Sequence, residues 1–330
     1  MITVCVLFNH PFPANIPALK AIYADRFEDV MFVQPMAPSE DPEVLTSYSG
    51  AYGFHGMMVD AIPRILALGA EHVVFIHDDV LLNPLLNENN IVDRLGLTAD
   101  GAFLPEFKAF GGELDAWPWT LGVLWKLVFP LNAISGSGAE HFASYLPDPQ
   151  QVEARLCRKY GFDFKPFSWN RDAPSARPML GYGRELPAEV QAPILETLFG
   201  PRDDPRTIKP AFPLCSGMAD FVVVSRGMLE DFRRLLGVFQ QLGLFVEVAV
   251  PTALAAAAEH VVQSRDVGLR ADWLWAEGRE ATSAATLIEG FRTNLLLAHP
   301  FKLSRQGALV DEVISSLSAG RPGRHGSASN

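Results

Sequence analysis

The sequence predicts an α/β fold, in which a mostly parallel sheet is flanked by helices and interrupted by an inserted region of helices and loops. Three observations carry this prediction. A fully apolar segment opens the chain, strand and helix patterns then alternate as far as residue 76, and regular patterning resumes near residue 220. Such alternation is typical of a parallel sheet built with right-handed crossovers.

The opening part contains five predicted elements, with strands and helices in turn. Continuous apolar runs indicate strands buried on both faces, and apolar residues at helical spacing indicate amphipathic helices. Pro63 must either kink the second helix or lie in its first turn with Asp60 as the cap. The elements are strand Ile2–Phe8, helix Pro17–Tyr23, strand Val30–Val33, a helix from Phe54 that stops at Gly69, and strand His72–Ile76.

Residues 96–211 lack this rhythm, because they are rich in proline, glycine and aromatic residues and show only modest helical signals such as Gln150–Lys159. Such a stretch is typical of an inserted subdomain or of long loops over a site. The chain therefore divides into a first half (1–95), the insertion (96–211), a second half that completes the same sheet (212–304), and a C-terminal helix with a disordered tail (305–330).

The second half again alternates strand and helix patterns. FVVVS, which follows Asp220, predicts a strand, and Ser225 is expected to cap the helix after it. Phe245–Val250 predicts another strand, closed by Pro251, and the alanine-rich run behind it predicts a helix.

Composition limits the classes of function. The chain has 330 residues and a formal net charge of -11, which disfavours nucleic acid as a partner. Three cysteines without metal-type spacing are expected to be reduced, and residues 1–8 lack the basic start of a signal peptide, so we expect a cytoplasmic protein. Trp117–Leu131 is the most membrane-like segment. It is too short to span a bilayer, so it is either a buried helix or an interfacial patch that contacts a lipid-linked partner.

The segment HVVFIHDDVLLNP ends a predicted strand in His77, Asp78 and Asp79. Adjacent carboxylates at the carboxyl end of a core strand repel one another, and a divalent cation would relieve the repulsion. Hard oxygen ligands suit Mg²⁺ or Mn²⁺. The alternative is that the two acids only cap the next turn.

Three later positions carry chemistry of their own. His299, in LLLAHPFKLS, is either a core histidine or a second ligand, and an imidazole would favour Mn²⁺ over Mg²⁺. Gly217 allows close approach of a ligand to the backbone, and Asp220 stands at a strand entrance. Glu247 is a lone carboxylate in an apolar run, on the strand face of Phe245 and Ala249, so it is either a salt-bridged structural acid or a candidate general base of raised pKa.

In this order, the elements and motifs resemble the GT-A family of nucleotide-sugar glycosyltransferases. The shared features are the β-α-β-α-β opening, an acidic pair that ends the third core strand, a glycine turn, a later buried acid and a C-terminal histidine. The family motif Asp-x-Asp appears here with His77 in place of the first Asp. The resemblance covers roughly residues 1–95 and 212–303 and implies a Rossmann-type sheet of GT-A form.

The resemblance also implies roles. Asp79 and His299 would hold the metal, Mn²⁺ or Mg²⁺, and Glu247 would be the catalytic base of an inverting transfer, with Asp220 as the reserve candidate. The donor, with a UDP-sugar favoured, would contact Phe8, Asn9, His10, His77, Asp78 and the Ser216–Met218 turn. The acceptor would be a glycan or lipid-linked molecule, as in the synthesis of cell-surface polysaccharide, shaped by Trp117, Trp119, Trp125 and Trp169. Contact with the inner face of the membrane would then be peripheral.

Other interpretations stay open. A structural Glu247 would permit a retaining mechanism. A sugar-phosphate nucleotidyltransferase would want a glycine- and lysine-rich loop after the first strand, whereas FNHPFPANIPALK has no glycine and one lysine. A non-catalytic binding protein would need only the turn-capping interpretation of the acidic pair.

Overall fold

The computed structural model describes residues 1–50, 53–112, 144–170, 188–273 and 283–318, with the backbone alone at residues 188, 190, 191, 273 and 318. Its strands are β1 (Ile2–Leu7), β2 (Asp29–Pro35), β3 (Val44–Ser47), β4 (His72–His77), β5 (Leu81–Leu82), β6 (Gly101–Phe103), β7 (Lys108–Ala109), β8 (Cys215–Ser216), β9 (Phe221–Ser225), β10 (His260–Val262), β11 (Arg270–Trp273) and β12 (Leu295–His299).

The helices alternate with these strands along the chain. They are α1 (Ile16–Tyr23), α2 (Phe54–Leu68), α3 (Ile91–Arg94), α4 (Pro149–Tyr160), α5 (Ala188–Phe199), α6 (Leu229–Gln241), α7 (Val246–Ala257), α8 (Ala284–Thr293) and α9 (Leu303–Ser318). Short 3₁₀ turns occur at Pro13–Asn15, Arg226–Met228 and Ser264–Val267.

The central sheet has the strand order β10-β6-β9-β4-β1-β2-β3 within the described ranges. Strands β4, β1, β2 and β3 run parallel to one another, whereas β9 runs antiparallel to both β4 and β6. Strands β11, β12 and β5 form a second, smaller sheet. The expected α/β architecture with a mostly parallel sheet is confirmed.

Both faces of the central sheet are buried, which explains why its strands are predominantly apolar. Cys5, Val73 and Phe75 point to one face, where α2, α6 and α7 pack. Val6 and Ile76 point to the other face, towards α1 and β12. A third apolar cluster lies between β12 and the C-terminal helices α8 and α9.

Helix α2 contains the predicted Pro63 in its interior and ends, as expected, at Gly69, whose φ of 82° is left-handed. Asp60 is not its cap, because the helix begins at Phe54. A proline leaves the carbonyl four residues earlier without its helical donor. Here the Val59 carbonyl instead accepts a hydrogen bond of 3.2 Å from Nε of Arg233 in α6. The carbonyl that Pro63 leaves without a helical donor therefore links α2 to α6.

Two local predictions were wrong. Residues 246–250 belong to helix α7, not to a strand, whereas the helix predicted for the alanine-rich run is present as far as Ala257 and is followed by strand β10. Ser225 does not cap a helix with its side chain; its hydroxyl donates to the Gly101 carbonyl at 2.6 Å. Strand β6 falls within residues 96–211, the predicted insertion, yet it lies in the central sheet between β9 and β10.

Several predicted features lie outside the described residues. They are the apolar segment Trp117–Leu131 with its three tryptophans, and the C-terminal tail from residue 319. Within the described part of the chain, no helix is both long enough and apolar enough to cross a membrane.

Candidate functional site

Four of the predicted site residues, His77, Asp79, Asp220 and His299, meet at the carboxyl end of β4. The register of β1 with β4 pairs Leu7 with His77, so the loops after both strands leave the sheet at the same edge. Because β9 is antiparallel, the residue that precedes it, Asp220, also lies at this edge, and its carbonyl accepts from the His77 amide at 2.9 Å.

The small sheet explains why His299 joins this group. Strand β5 directly follows the acidic pair, and β12 ends at His299. The antiparallel register pairs Leu81 with Ala298, which places His299 beside Asp79. The Phe301 amide also donates to the Asp79 carbonyl and fixes the two loops together.

Imidazoles and carboxylates alternate through the site. Nδ1 of His77 lies 2.8 Å from Oδ1 of Asp220, and Nε2 of His299 lies 3.5 Å from the same oxygen. Nε2 of His299 also lies 3.2 Å from Oδ1 of Asp79. The Phe54 ring covers His77, with ring centroids 3.9 Å apart. One chain of contacts therefore runs from His77 through Asp220 and His299 to Asp79.

Asp79 is an ionised carboxylate despite its burial. Burial alone would raise its pKa, but the hydrogen bond from His299 and the positive charges of His299 and Lys302 outweigh it and hold the pKa well below the usual range. Nζ of Lys302 forms an ion pair with Oδ2 of Asp79, so the two carboxylate oxygens face two different cationic groups.

Asp220 and His299 stabilise each other's charged forms. Burial raises the pKa of the Asp220 carboxyl, but the charges of His299 and His77 reverse that effect and lower it. Burial likewise lowers the pKa of His299, but the charge of Asp220 and the bond to Asp79 raise it above its ordinary value. Each group therefore favours the charged form of the other.

Asp78 differs from its neighbour Asp79. Burial and the charge of Asp79 raise the pKa of Asp78 to about 6, although the backbone amide of Asn9 donates to its carboxylate. The adjacent acids therefore lose their protons in different pH ranges, and Asp79 stays ionised at a lower pH than Asp78.

Glu247 lies in the first turn of α7, close enough to Asp220 and His299 to feel their charges. Burial first, and then the negative charge of Asp220, raise its pKa to about 8, against the lowering effects of His299 and Lys108. The expectation of a partly buried acid with a raised pKa agrees with the structure, although the strand that the sequence predicted for it is a helix.

The backbone of Glu247 is held by a second proline effect. Pro251 has no amide hydrogen, so the Glu247 carbonyl four residues earlier lacks its helical donor. That carbonyl accepts instead from the Gly217 amide at 3.1 Å. A Cβ on Gly217 would lie 2.1 Å from the Glu106 carbonyl oxygen, so only glycine permits this approach.

The other residues predicted to contact the donor differ in how accessible their side chains are. The Phe8 side chain is wholly buried against Phe32, so only its backbone could reach a ligand. Asn9 lies at the site through its bond to Asp78, and His10 is exposed beyond it. In the glycine turn, Ser216 is buried in β8 and Met218 is partly exposed.

Asp79 and His299 fit two neighbouring ligand positions of a divalent cation. Adjacent octahedral ligands of Mg²⁺ or Mn²⁺ lie about 3 Å apart, and Nε2 of His299 lies 3.2 Å from Oδ1 of Asp79. Within the described ranges, no three His, Cys, Asp or Glu side chains form a metal-type group. Two protein ligands are fewer than such an ion needs, so other oxygen donors would have to complete its coordination.

Sequence reasoning missed Lys302. The signal that could have found it is its position three residues after His299, on the loop that returns to Asp79. The contact of His77 with Asp220 was also unforeseen, because it depends on the antiparallel direction of β9.

Comparison with known proteins adds no assignment. No family model matches the sequence, and no curated protein matches it either. The geometry of the site is therefore the basis for any statement about function.

Proposed function

We propose that the chain is a divalent-metal-dependent glycosyltransferase that moves a sugar from a nucleotide-diphosphate donor to an acceptor hydroxyl with inversion. One observation carries the proposal: the Asp79–His299 pair lies at the carboxyl edge of a mostly parallel sheet, and the charge of His299 acts on Glu247, an acid of raised pKa. The pair supplies a cation site and the acid supplies a base, and this edge of an open α/β sheet is where ligands bind.

Asp79 and His299 are the residues that would hold Mn²⁺ or Mg²⁺. When bound, such an ion neutralises negative charge that develops on a leaving diphosphate. Asp220 would keep both imidazoles oriented, because its Oδ1 contacts His77 and His299 at once. Asp78 follows β4, and Asn9 and His10 follow the neighbouring strand β1. These three residues would contact the donor.

Glu247 is the better base of the two acids first considered. Asp220 accepts from imidazole groups and its pKa is lowered, which makes it a weak proton acceptor. Glu247, with a pKa of about 8, is matched to the removal of a proton near neutral pH. Its carboxylate would take the hydroxyl proton as the acceptor oxygen bonds to the anomeric carbon. The bond from that carbon to the diphosphate oxygen breaks, and its electron pair leaves with the diphosphate.

The resemblance to GT-A enzymes supports the finer parts of the proposal. It favours a UDP-sugar as donor and the GT-A form of the sheet. It also favours a glycan or lipid-linked acceptor, a role in cell-surface polysaccharide synthesis, and a cytoplasmic site with peripheral membrane contact. His77, in place of the family's first Asp, pairs with Asp220, so the charge that the family places there is here supplied from β9.

A donor panel tests the proposal directly. The protein is incubated with UDP- and GDP-sugars, with and without Mn²⁺, and both thermal unfolding and release of nucleoside diphosphate are measured. We expect metal-dependent stabilisation by at least one nucleotide and slow metal-dependent hydrolysis of its sugar. If no diphosphate nucleotide stabilises the protein in the presence of metal, a non-catalytic binding protein is the better interpretation.

A further inference from the structure

Lys302 forms an ion pair with one carboxylate oxygen of Asp79, and a divalent cation bound to Asp79 would compete for that oxygen. Its Nζ pairs with Oδ2, while Nε2 of His299 faces Oδ1. Lys302 differs from its partners in exposure: its side chain is 49% exposed, against 12% for Asp79 and 5% for His299. It therefore reaches the buried acid from the solvent side.

The backbone of Lys302 is fixed, so only its side chain is free to move. Its amide donates to Oε1 of Gln306 at 2.8 Å, and its carbonyl accepts from the amides of Arg305 and Gln306. The preceding residue, Phe301, donates its amide to the Asp79 carbonyl. The four methylene groups of the side chain then allow the ammonium to move by several ångströms while the backbone stays in place.

The charges around Asp79 indicate when the ammonium of Lys302 would move. In the described cluster, the carboxylates of Asp79 and Asp220 face the ammonium of Lys302 and the imidazole of His299. A divalent cation bound to Asp79 would repel the ammonium of Lys302 and compete with it for the same carboxylate. A nucleoside diphosphate brings negative charge of its own, and an ammonium displaced from Asp79 is then a suitable partner for it.

We propose that Lys302 is a transferable counter-charge, which pairs with Asp79 in the free protein and turns to the donor diphosphate when a divalent cation binds. This inference rests on the proposed function. It makes Lys302 a residue that contacts the leaving group, and it makes the cation and the nucleotide bind cooperatively. Cooperativity of this kind is a coupling free energy, so each ligand must strengthen the binding of the other by the same factor.

Calorimetric titration with MnCl₂ alone and with UDP at saturating Mn²⁺ tests the inference. Lys302→Met should bind Mn²⁺ alone about tenfold more tightly, since the competing ammonium is gone. The same variant should bind UDP about tenfold more weakly, since a charge-assisted contact to phosphate is lost. Lys302→Arg keeps the cation and should bind UDP within about threefold of the parent protein.

Lys209→Met is the matched control, because Lys209 is also half-exposed and pairs with an acid, Glu153, at 3.1 Å on α4. It makes the same change in net charge and should alter neither titration. Opposite effects on Mn²⁺ and UDP in Lys302→Met support the inference, and equal or parallel effects on both overturn it. A parent protein that binds neither probe contradicts the proposed function itself, which is a different result.

Discussion

Asp79 and Glu247 are two buried acids of one site, held in opposite states by two regions of the molecule. At the end of β4, the loop after β12 brings an imidazole and an ammonium to Asp79, and its pKa falls. In the first turn of α7, burial and the charge of Asp220 dominate, and the pKa of Glu247 rises to about 8. Burial is common to both, so the neighbouring charges decide which acid is ionised.

The difference assigns the two acids to different tasks. A carboxylate that stays ionised over the whole physiological range suits the binding of a cation. An acid that exchanges its proton near neutral pH suits proton transfer. The predictions below change one region at a time, and they run from the largest expected effect to the smallest.

Replacement of the ionised acid should have the largest effect. Asp79→Asn removes the negative charge and leaves His299 and Lys302 without it, so we expect sugar transfer to fall about 10³-fold, because a bound metal contributes several kcal/mol to such a step. Steady-state rates with the donor identified by the panel measure the change. Asp41→Asn is the control, because Asp41 pairs with Lys20 at 3.1 Å on the surface. A rate within tenfold of the parent would remove Asp79 from the metal site.

Replacement of the second acid should lower transfer and spare binding. We expect Glu247→Gln to reduce transfer by about 10²–10⁴-fold, the usual contribution of a general base, while UDP binding with Mn²⁺ changes little. In the parent protein, kcat/KM should rise with pH towards about 8, because Glu247 must be ionised to act, and the variant should lose this rise. Glu230→Gln, in the first turn of α6, is the matched control. Normal turnover in Glu247→Gln would exclude this base.

The same variant should be more stable than the parent in alkali. The pKa of Glu247 is raised from 4.5 to about 8, so its contribution to stability is fully present below pH 4.5 and is lost as the pH rises through about 8. Gln carries no proton to lose. We therefore expect Glu247→Gln to exceed the parent in free energy of unfolding by about 1–3 kcal/mol at pH 9, since a tenfold change in acid dissociation is worth about 1.4 kcal/mol. Urea unfolding at pH 6 and pH 9 measures it, and an equal difference at both pH values would contradict it.

Two glycines should respond in opposite directions to the same change. Gly217→Ala pushes a Cβ against the Glu106 carbonyl and should cost about 1–3 kcal/mol of stability. Gly237→Ala, inside α6 with open space around the new methyl, should gain about 0.5–1 kcal/mol. Thermal unfolding distinguishes them, and a stable Gly217→Ala protein would show that the loop near Glu247 can yield.

The elements that the sequence predicted correctly are those whose signal is local. The interiors of strands β1 and β4 are almost wholly apolar because both of their faces are covered, and Gly69 ends α2 in the left-handed region as its position predicts. The strand predicted for residues 245–250 was wrong because valines that alternate with other residues and are closed by a proline resemble a strand. In the fold, Pro251 sits inside the helix, and a donor from another segment, Gly217, compensates for its missing amide.

The sequence pointed to the residues of the candidate site, but it did not predict which of them contact one another. The residue types and their order singled out Asp79, Asp220, Glu247 and His299, because lone polar residues in apolar runs stand out. Their pairing depends on strand direction and on the register of β5 with β12, which no local pattern encodes. Lys302 was missed for a further reason: an exposed lysine on a loop has no sequence signal until its partner is known.

The direction of β9 has a consequence for how the protein is made. Asp79, Asp220 and His299 are separated by long stretches of chain, and the antiparallel strand brings the second of them back to the edge that the first has already defined. During synthesis the acids emerge long before the imidazole that compensates them. A nascent chain that ends short of residue 299 therefore holds the acidic pair without its counter-charges, and the completed site is a late product of translation.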